Sequence, residues 1–167
     1  MNLNKLLLLA FLLSIQLVAS GQTITLTLDN VPSNTLCNEI WTEQNLDLSF
    51  VTGTSDDWGE DELCFFVVEP TYVFLAGSRL TVDLSSLQNI QKVEVDINDW
   101  CNTDCTRAFL IDSSGVIVNS AGNTLIQSTE TLIIENPTEG FLSELAISSG
   151  EGQVHEIRIY QNDELST

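Results

Sequence analysis

Residues 80–98 read Leu-Thr-Val-Asp-Leu-Ser-Ser-Leu-Gln-Asn-Ile-Gln-Lys-Val-Glu-Val-Asp-Ile-Asn. Leu80, Val82 and Leu84 alternate with Thr81 and Asp83; Val93, Val95 and Ile97 alternate with Glu94, Asp96 and Asn98. A period of two sends one set of side chains to a buried face and the other to solvent, which marks half-exposed β-strands. Between them, Ser85 to Asn89 has room for a single helical turn. The pattern recurs outward. Ile24, Leu26 and Leu28 alternate with threonines, and Leu46, Leu48 and Phe50 with Asp47 and Ser49. Leu63 to Val68, Ala108 to Ile111 and Val116 to Val118 are apolar on both parities, as in strands covered on both faces or packed by a loop at an edge. Leu132 to Ile134, Leu145 to Ile147 and Val154 to Tyr160 bring the total to about ten short strands. Turn-rich segments separate them, among them Gly53 to Asp57 and Ser148 to Gly152, and Asp112-Ser113-Ser114-Gly115 predicts a hairpin. Many short strands without a long helix specify an all-β fold: a two-sheet antiparallel β-sandwich, jelly roll or immunoglobulin-like.

The first 20 residues are of another kind. Lys5 precedes the apolar run Leu6 to Leu13, and Val18-Ala19-Ser20 offers the small residues a signal peptidase reads. Residues 1–20 are therefore expected to be a cleaved signal peptide, leaving 21–167 as a single domain with 161–167 a frayed tail. Ser14 and Gln16 interrupt a stretch already too short to span a bilayer, so membrane insertion is not expected. The expected location is secreted, extracellular or periplasmic. Cys37, Cys64, Cys101 and Cys105 form an even set in an exported chain, which favours disulfides over a metal site. Only three residues separate Cys101 from Cys105, so the expected pairs are Cys101–Cys105 and, by elimination, Cys37–Cys64.

Acidic residues outnumber Lys and Arg 24 to 5, for a net charge of −19. Nucleic-acid binding draws its affinity from counterion release by basic side chains, and docking on anionic lipid needs the same charge, so both classes of partner are disfavoured. With 43% hydrophobic residues the chain is nonetheless a folding sequence and not a disordered acidic tail.

Several of these segments together resemble the galactose-binding-like jelly-roll superfamily, to which many carbohydrate-binding modules belong. They are Leu80 to Leu84, Val93 to Ile97, Ala108 to Asp112 with Gly115 to Val118, and the closing run Gly150-Glu-Gly-Gln-Val-His-Glu-Ile-Arg-Ile159. The resemblance covers roughly residues 37–160. It implies an accessory sandwich, often sugar-binding and often carrying a structural calcium ion.

The densest polar cluster is Asp56-Asp57-Trp58-Gly59-Glu60-Asp61-Glu62. Carboxylates this close repel unless a cation neutralises them, and Ca2+ is the hard cation suited to oxygen ligands, so Asp56, Asp57, Glu60, Asp61 and Glu62 are the candidate metal ligands; the alternative is a solvated acidic turn. Trp58 has an indole face for a sugar ring, Asp57 an acceptor for its hydroxyls, and Gly59 leaves room for approach, making these three the candidate glycan site. Trp41 is expected in the core and Trp100 against the short disulfide loop. His155 alternates with Ile157 and Ile159, which puts it on the apolar face as a structural residue.

No Gly-x-Ser-x-Gly elbow or phosphate-binding glycine loop is present, so catalysis finds little support. The leading expectation is an exported non-catalytic binding module with a glycan partner. The rivals are a structural or adhesive acidic surface protein with cation-bridged association, and a small hydrolase or lyase.

Overall fold

A computed structural model describes residues 21–32, 35–52, 64, 66–101, 105–138 and 140–162. Twelve strands lie among them: β1 (Gln22–Leu26), β2 (Ile40–Glu43), β3 (Leu46–Thr52), β4 (Phe66–Glu69), β5 (Tyr72–Leu75), β6 (Ser78–Asp83), β7 (Ile90–Asp99), β8 (Thr106–Asp112), β9 (Ile117–Gly122), β10 (Thr129–Glu135), β11 (Leu142–Ser149) and β12 (Gly152–Gln161). Sheet A has the order β10-β7-β12-β5-β4, with β1 also paired to β12; sheet B has the order β2-β3-β6-β11-β8-β9. Every pairing is antiparallel. From β5 to β12 each connection except the β8–β9 hairpin crosses between the sheets, and the result is the jelly-roll sandwich that the resemblance implies.

The alternation seen in the sequence is the division between core and surface. Val93, Val95 and Ile97 of β7 and Leu80 and Val82 of β6 are fully buried between the sheets, and Leu84 just beyond β6 is buried with them. Burying a side chain of this size stabilises by about 1.5–3 kcal/mol, so these inward rows outweigh any local preference. In β8, Ala108, Phe109 and Leu110 are buried on both parities, as the apolar run predicts. The Asp112 hairpin forms: the Asp112 carboxylate accepts from the backbone N–H of Ser114 and of Val116, and Gly115 takes a left-handed φ of 77°.

Three expectations need adjustment. The short strands β2 and β5 lack a legible alternation and were not anticipated. Between β6 and β7 the turn spans only Leu84 to Leu87, closed by Leu87 N–H on the Leu84 carbonyl. At the other end, β12 includes Gln161 and Asn162 donates to the Asn89 carbonyl, so ordered chain reaches two residues into the segment expected to fray.

Both disulfides pair as expected, Cys37–Cys64 with Cα atoms 6.2 Å apart and Cys101–Cys105 with 6.1 Å. The second links the end of β7 in sheet A to the start of β8 in sheet B. Near the first, Trp41 stacks on Phe50 and Phe50 on Phe66, with centroids 4.9 and 3.8 Å apart, so β2 and β3 of sheet B are joined to β4 of sheet A. Trp41 is a core residue, 7% exposed. No helix among the described residues is long and apolar enough to cross a membrane.

Candidate functional site

Asp56, Asp57, Trp58, Gly59, Glu60, Asp61 and Glu62 lie in the segment between β3 and β4, outside the described residues. Trp100 and His155 are placed, and both stand on the outer face of sheet A. Antiparallel register sets that face up in rows. Phe74 of β5 pairs with Gln153 of β12, which pairs with Asn98 of β7, which pairs with Thr129 of β10. The next outward row runs from Glu156 through Asp96 to Thr131.

His155 corrects the reading from alternation. The pairing of β12 with β7 shifts register between Val154 and Glu156, so Val154 opposes Ile97 and Ile157 opposes Val95 with two residues between them. A β-bulge inserts one residue and reverses the parity beyond it. His155 is that residue: it is half-buried, lines the cleft described below, and has its ring 5.5 Å from that of Tyr72. Residues 102–104, on which Trp100 was expected to pack, lie outside the described residues. The Trp100 indole is 49% exposed and leans on Phe74 at 5.4 Å.

Beside these aromatics a cleft of about 460 Å³ is lined by Asp96, Asn98, Thr129, Glu130, Thr131 and His155. Asn98 Nδ2 donates to Gln153 Oε1 at 3.2 Å, which orients both side-chain amides; Gln153 is buried at 5% exposure, so Asn98 is the amide left half-exposed on the face. Burial raises the Glu130 carboxyl, yet the Thr124 hydroxyl and the N–H groups of Thr124 and Leu125 donate to it and bring it below the usual range. The half of the face toward Tyr160 is a charge network. Arg158 grips Asp96 with two guanidinium nitrogens at 2.7 and 2.8 Å, reaches Glu94 at 3.0 Å and pairs with Glu156. The Lys92 ammonium at 2.6 Å, with Tyr160 and Arg158, holds the Glu94 carboxyl at about 2 against the opposing pull of burial. Arg158, helped by Thr131, likewise lowers Asp96.

This arrangement decides what the face can do. A glycosidase general acid needs a carboxyl raised toward neutrality. Glu94, Asp96 and Glu130 are all lowered, so each is ionised at neutral pH and serves as a hydrogen-bond acceptor. Exposed aromatic rings, paired amides and fixed carboxylates can stack on and hydrogen-bond a polyhydroxylated ring.

The outer face of sheet B differs. A groove of about 430 Å³ there includes Asp47, Ser49, Thr81, Asp83, Ser143 and Glu144 in its lining. Phe109 on this face is 7% exposed, with the Arg79 guanidinium 5.9 Å from the ring centre. Burial raises the Glu144 carboxyl despite Arg79.

Sequence reasoning did not single out Tyr72, Phe74, Asn98 or Gln153 as site residues. The outward parity of Asn98 and Trp100 was readable in β7, but nothing local connects Phe74 to Gln153, which only the sheet brings together.

No protein-family model matches the chain, and neither does any curated protein. Similar solved structures include a CBM4 carbohydrate-binding module, with 8% identity over 70% of this chain and 87% of that one, and a TM-score of 0.43. CsCBM6-3 from Clostridium stercorarium, solved with cellobiose, gives 10% identity over 69% and 94%, TM-score 0.42. The C-terminal CBM6 of the marine laminarinase LamC from Zobellia galactanivorans gives 11% over 84% and 100%, TM-score 0.41. Each is a likeness to this chain in strand arrangement.

Proposed function

We propose that the protein is an exported, non-catalytic carbohydrate-binding module whose ligand lies on the outer face of sheet A, across Trp100, Phe74 and Asn98. The observation that carries this reading is Trp100. A half-exposed indole on a strand face, one row from the Asn98 amide that Gln153 orients, presents an apolar plane beside hydrogen-bonding groups, and pyranose rings offer the complement of both. Trp100→Ala should weaken binding at least tenfold, as loss of a central aromatic anchor does at interfaces, while leaving the melting temperature nearly unchanged.

The test is a glycan array followed by calorimetric titration of the best glycan against wild type, Trp100→Ala and Trp58→Ala. Asp57, Trp58 and Gly59 form the rival site proposed from sequence. Loss of binding in Trp100→Ala supports the sheet face. Retained binding there with loss in Trp58→Ala moves the site to those three residues. Wild-type protein that binds no glycan defeats the reading and favours an adhesive acidic surface protein.

A further inference from the structure

On the reading that a glycan lies across the outer face of sheet A, we infer that Asp96 and Glu130 set its specificity. A further ring of the chain lies in the cleft beside Asn98, its hydroxyls donate to these two carboxylates, and a uronate or sulfated ring is rejected there. Asn98 and Asp96 are successive outward positions of β7 on the same side as Trp100. At about 3.4 Å per residue, Asp96 is about 14 Å along the strand from Trp100, so a chain stacked on the indole reaches it with two or more rings.

The two carboxylates line the cleft from neighbouring strands, β7 and β10, and both are ionised at neutral pH. Asp96 Oδ1 accepts from the Thr131 hydroxyl at 2.6 Å and from Arg158 Nη2 at 2.8 Å, and its Oδ2 accepts from Arg158 Nη1 at 2.7 Å. Glu130 Oε1 accepts from the Thr124 hydroxyl at 2.6 Å, and its Oε2 accepts from the backbone N–H of Thr124 at 2.8 Å and of Leu125 at 3.4 Å. An ionised carboxylate has about four acceptor positions, so three bonds fix each group in place and leave about one position open, on Asp96 Oδ2 and on Glu130 Oε1. Thr131, its proton committed to Asp96, can only accept as well. Hydrogen bonds to ionised acceptors are among the stronger ones, and a sugar hydroxyl supplies the donor that a carboxylate or sulfate group lacks.

Charge acts in the same direction. Arg158 lies outside the lining and is enclosed by Glu94, Asp96 and Glu156, and Lys92 is paired with Glu94. An anionic ring in the cleft would therefore meet two fixed negative charges, in a chain of net charge −19. Like charges brought together at an interface act against the wrong partner.

The experiment is a glycan array on which each neutral oligosaccharide stands beside the same oligomer with its primary hydroxymethyl groups oxidised to carboxylates, cellotetraose, mannotetraose and galactotetraose among them. The pair with the strongest binder is then titrated by calorimetry at low and high salt against wild type, Trp100→Ala, Glu130→Gln and Asp96→Asn. Wild type should bind the neutral member at least tenfold more tightly at low salt, and high salt should shrink the gap by screening. Glu130→Gln removes a charge but keeps an acceptor oxygen, so it should narrow the gap at least threefold with a melting temperature near that of wild type. Asp96→Asn, which also loosens Arg158, should narrow it further. An oxidised member that binds wild type as tightly as its neutral partner, with binding still lost in Trp100→Ala, overturns this inference and leaves the sheet-face site standing. A gap that persists unchanged in folded Glu130→Gln and Asp96→Asn, or that high salt does not shrink, overturns it too. Binding retained in Trp100→Ala, or no binding to any glycan, overturns the sheet-face site and the role of the two carboxylates with it.

Discussion

Replacing Glu94 by Gln should cost stability at neutral pH and much less in acid. The carboxyl titrates at about 2 in the fold against 4.5 ordinarily, chiefly because of the Lys92 hydrogen bond, with Tyr160 and Arg158 adding to it and burial opposing. At about 1.4 kcal/mol per pKa unit, that depression corresponds to about 3 kcal/mol at neutral pH. Glu94 is only 14% exposed, but Lys92 is 31% exposed and its share is screened, so about 2 kcal/mol is the expected loss. The sign follows from the direction of the shift. A carboxyl depressed in the fold contributes in full above its unfolded value of 4.5, and the contribution is lost as pH falls toward 2. By about pH 3 more than half should be gone. Urea unfolding of wild type and Glu94→Gln at about pH 7 and about pH 3 measures this directly, and the difference between the proteins cancels the general effect of discharging so acidic a chain. Gln keeps the shape and an acceptor oxygen, so packing loss is small. A destabilisation equal at both pH values would refute the assignment of the stabilisation to ionised Glu94.

Phe50→Ala should cost about 3–5 kcal/mol in chemical denaturation, because Phe50 is fully buried and stacked between Trp41 and Phe66; a loss under about 1 kcal/mol would mean the stack collapses without a cavity. Removing Cys37–Cys64 should destabilise more than removing Cys101–Cys105. Their separations of 27 and 4 residues correspond to about 3.6 and about 1.9 kcal/mol in the chain-entropy description, and serine double variants in urea test the order. If the acidic segment Asp56 to Glu62 holds Ca2+, the melting temperature rises with Ca2+ against chelator in low salt and the rise disappears in Asp56→Asn/Asp57→Asn; coincident wild-type curves leave the solvated-turn reading.

The amino-acid sequence by itself determined the class of fold, because burial is read out locally in strands: Val93, Val95 and Ile97 declare their face whatever strand lies beside them. It likewise determined the disulfide pairing, since so short a separation as Cys101 to Cys105 favours the local bridge. Trp41 was legible as core from its place beside Ile40 and near Cys37. The candidate site was not legible, and His155 shows why. Alternation assumes an unbroken register, and the pairing of β12 with β7 shifts register between Val154 and Glu156. Phe74 and Gln153 meet through a pairing between residues far apart in sequence, as do Glu94 and Arg158. Periodicity states which side of a strand a residue occupies. Which residues share that side, and with what charge beside them, is decided by sheet order and register, and these are properties of the folded chain alone.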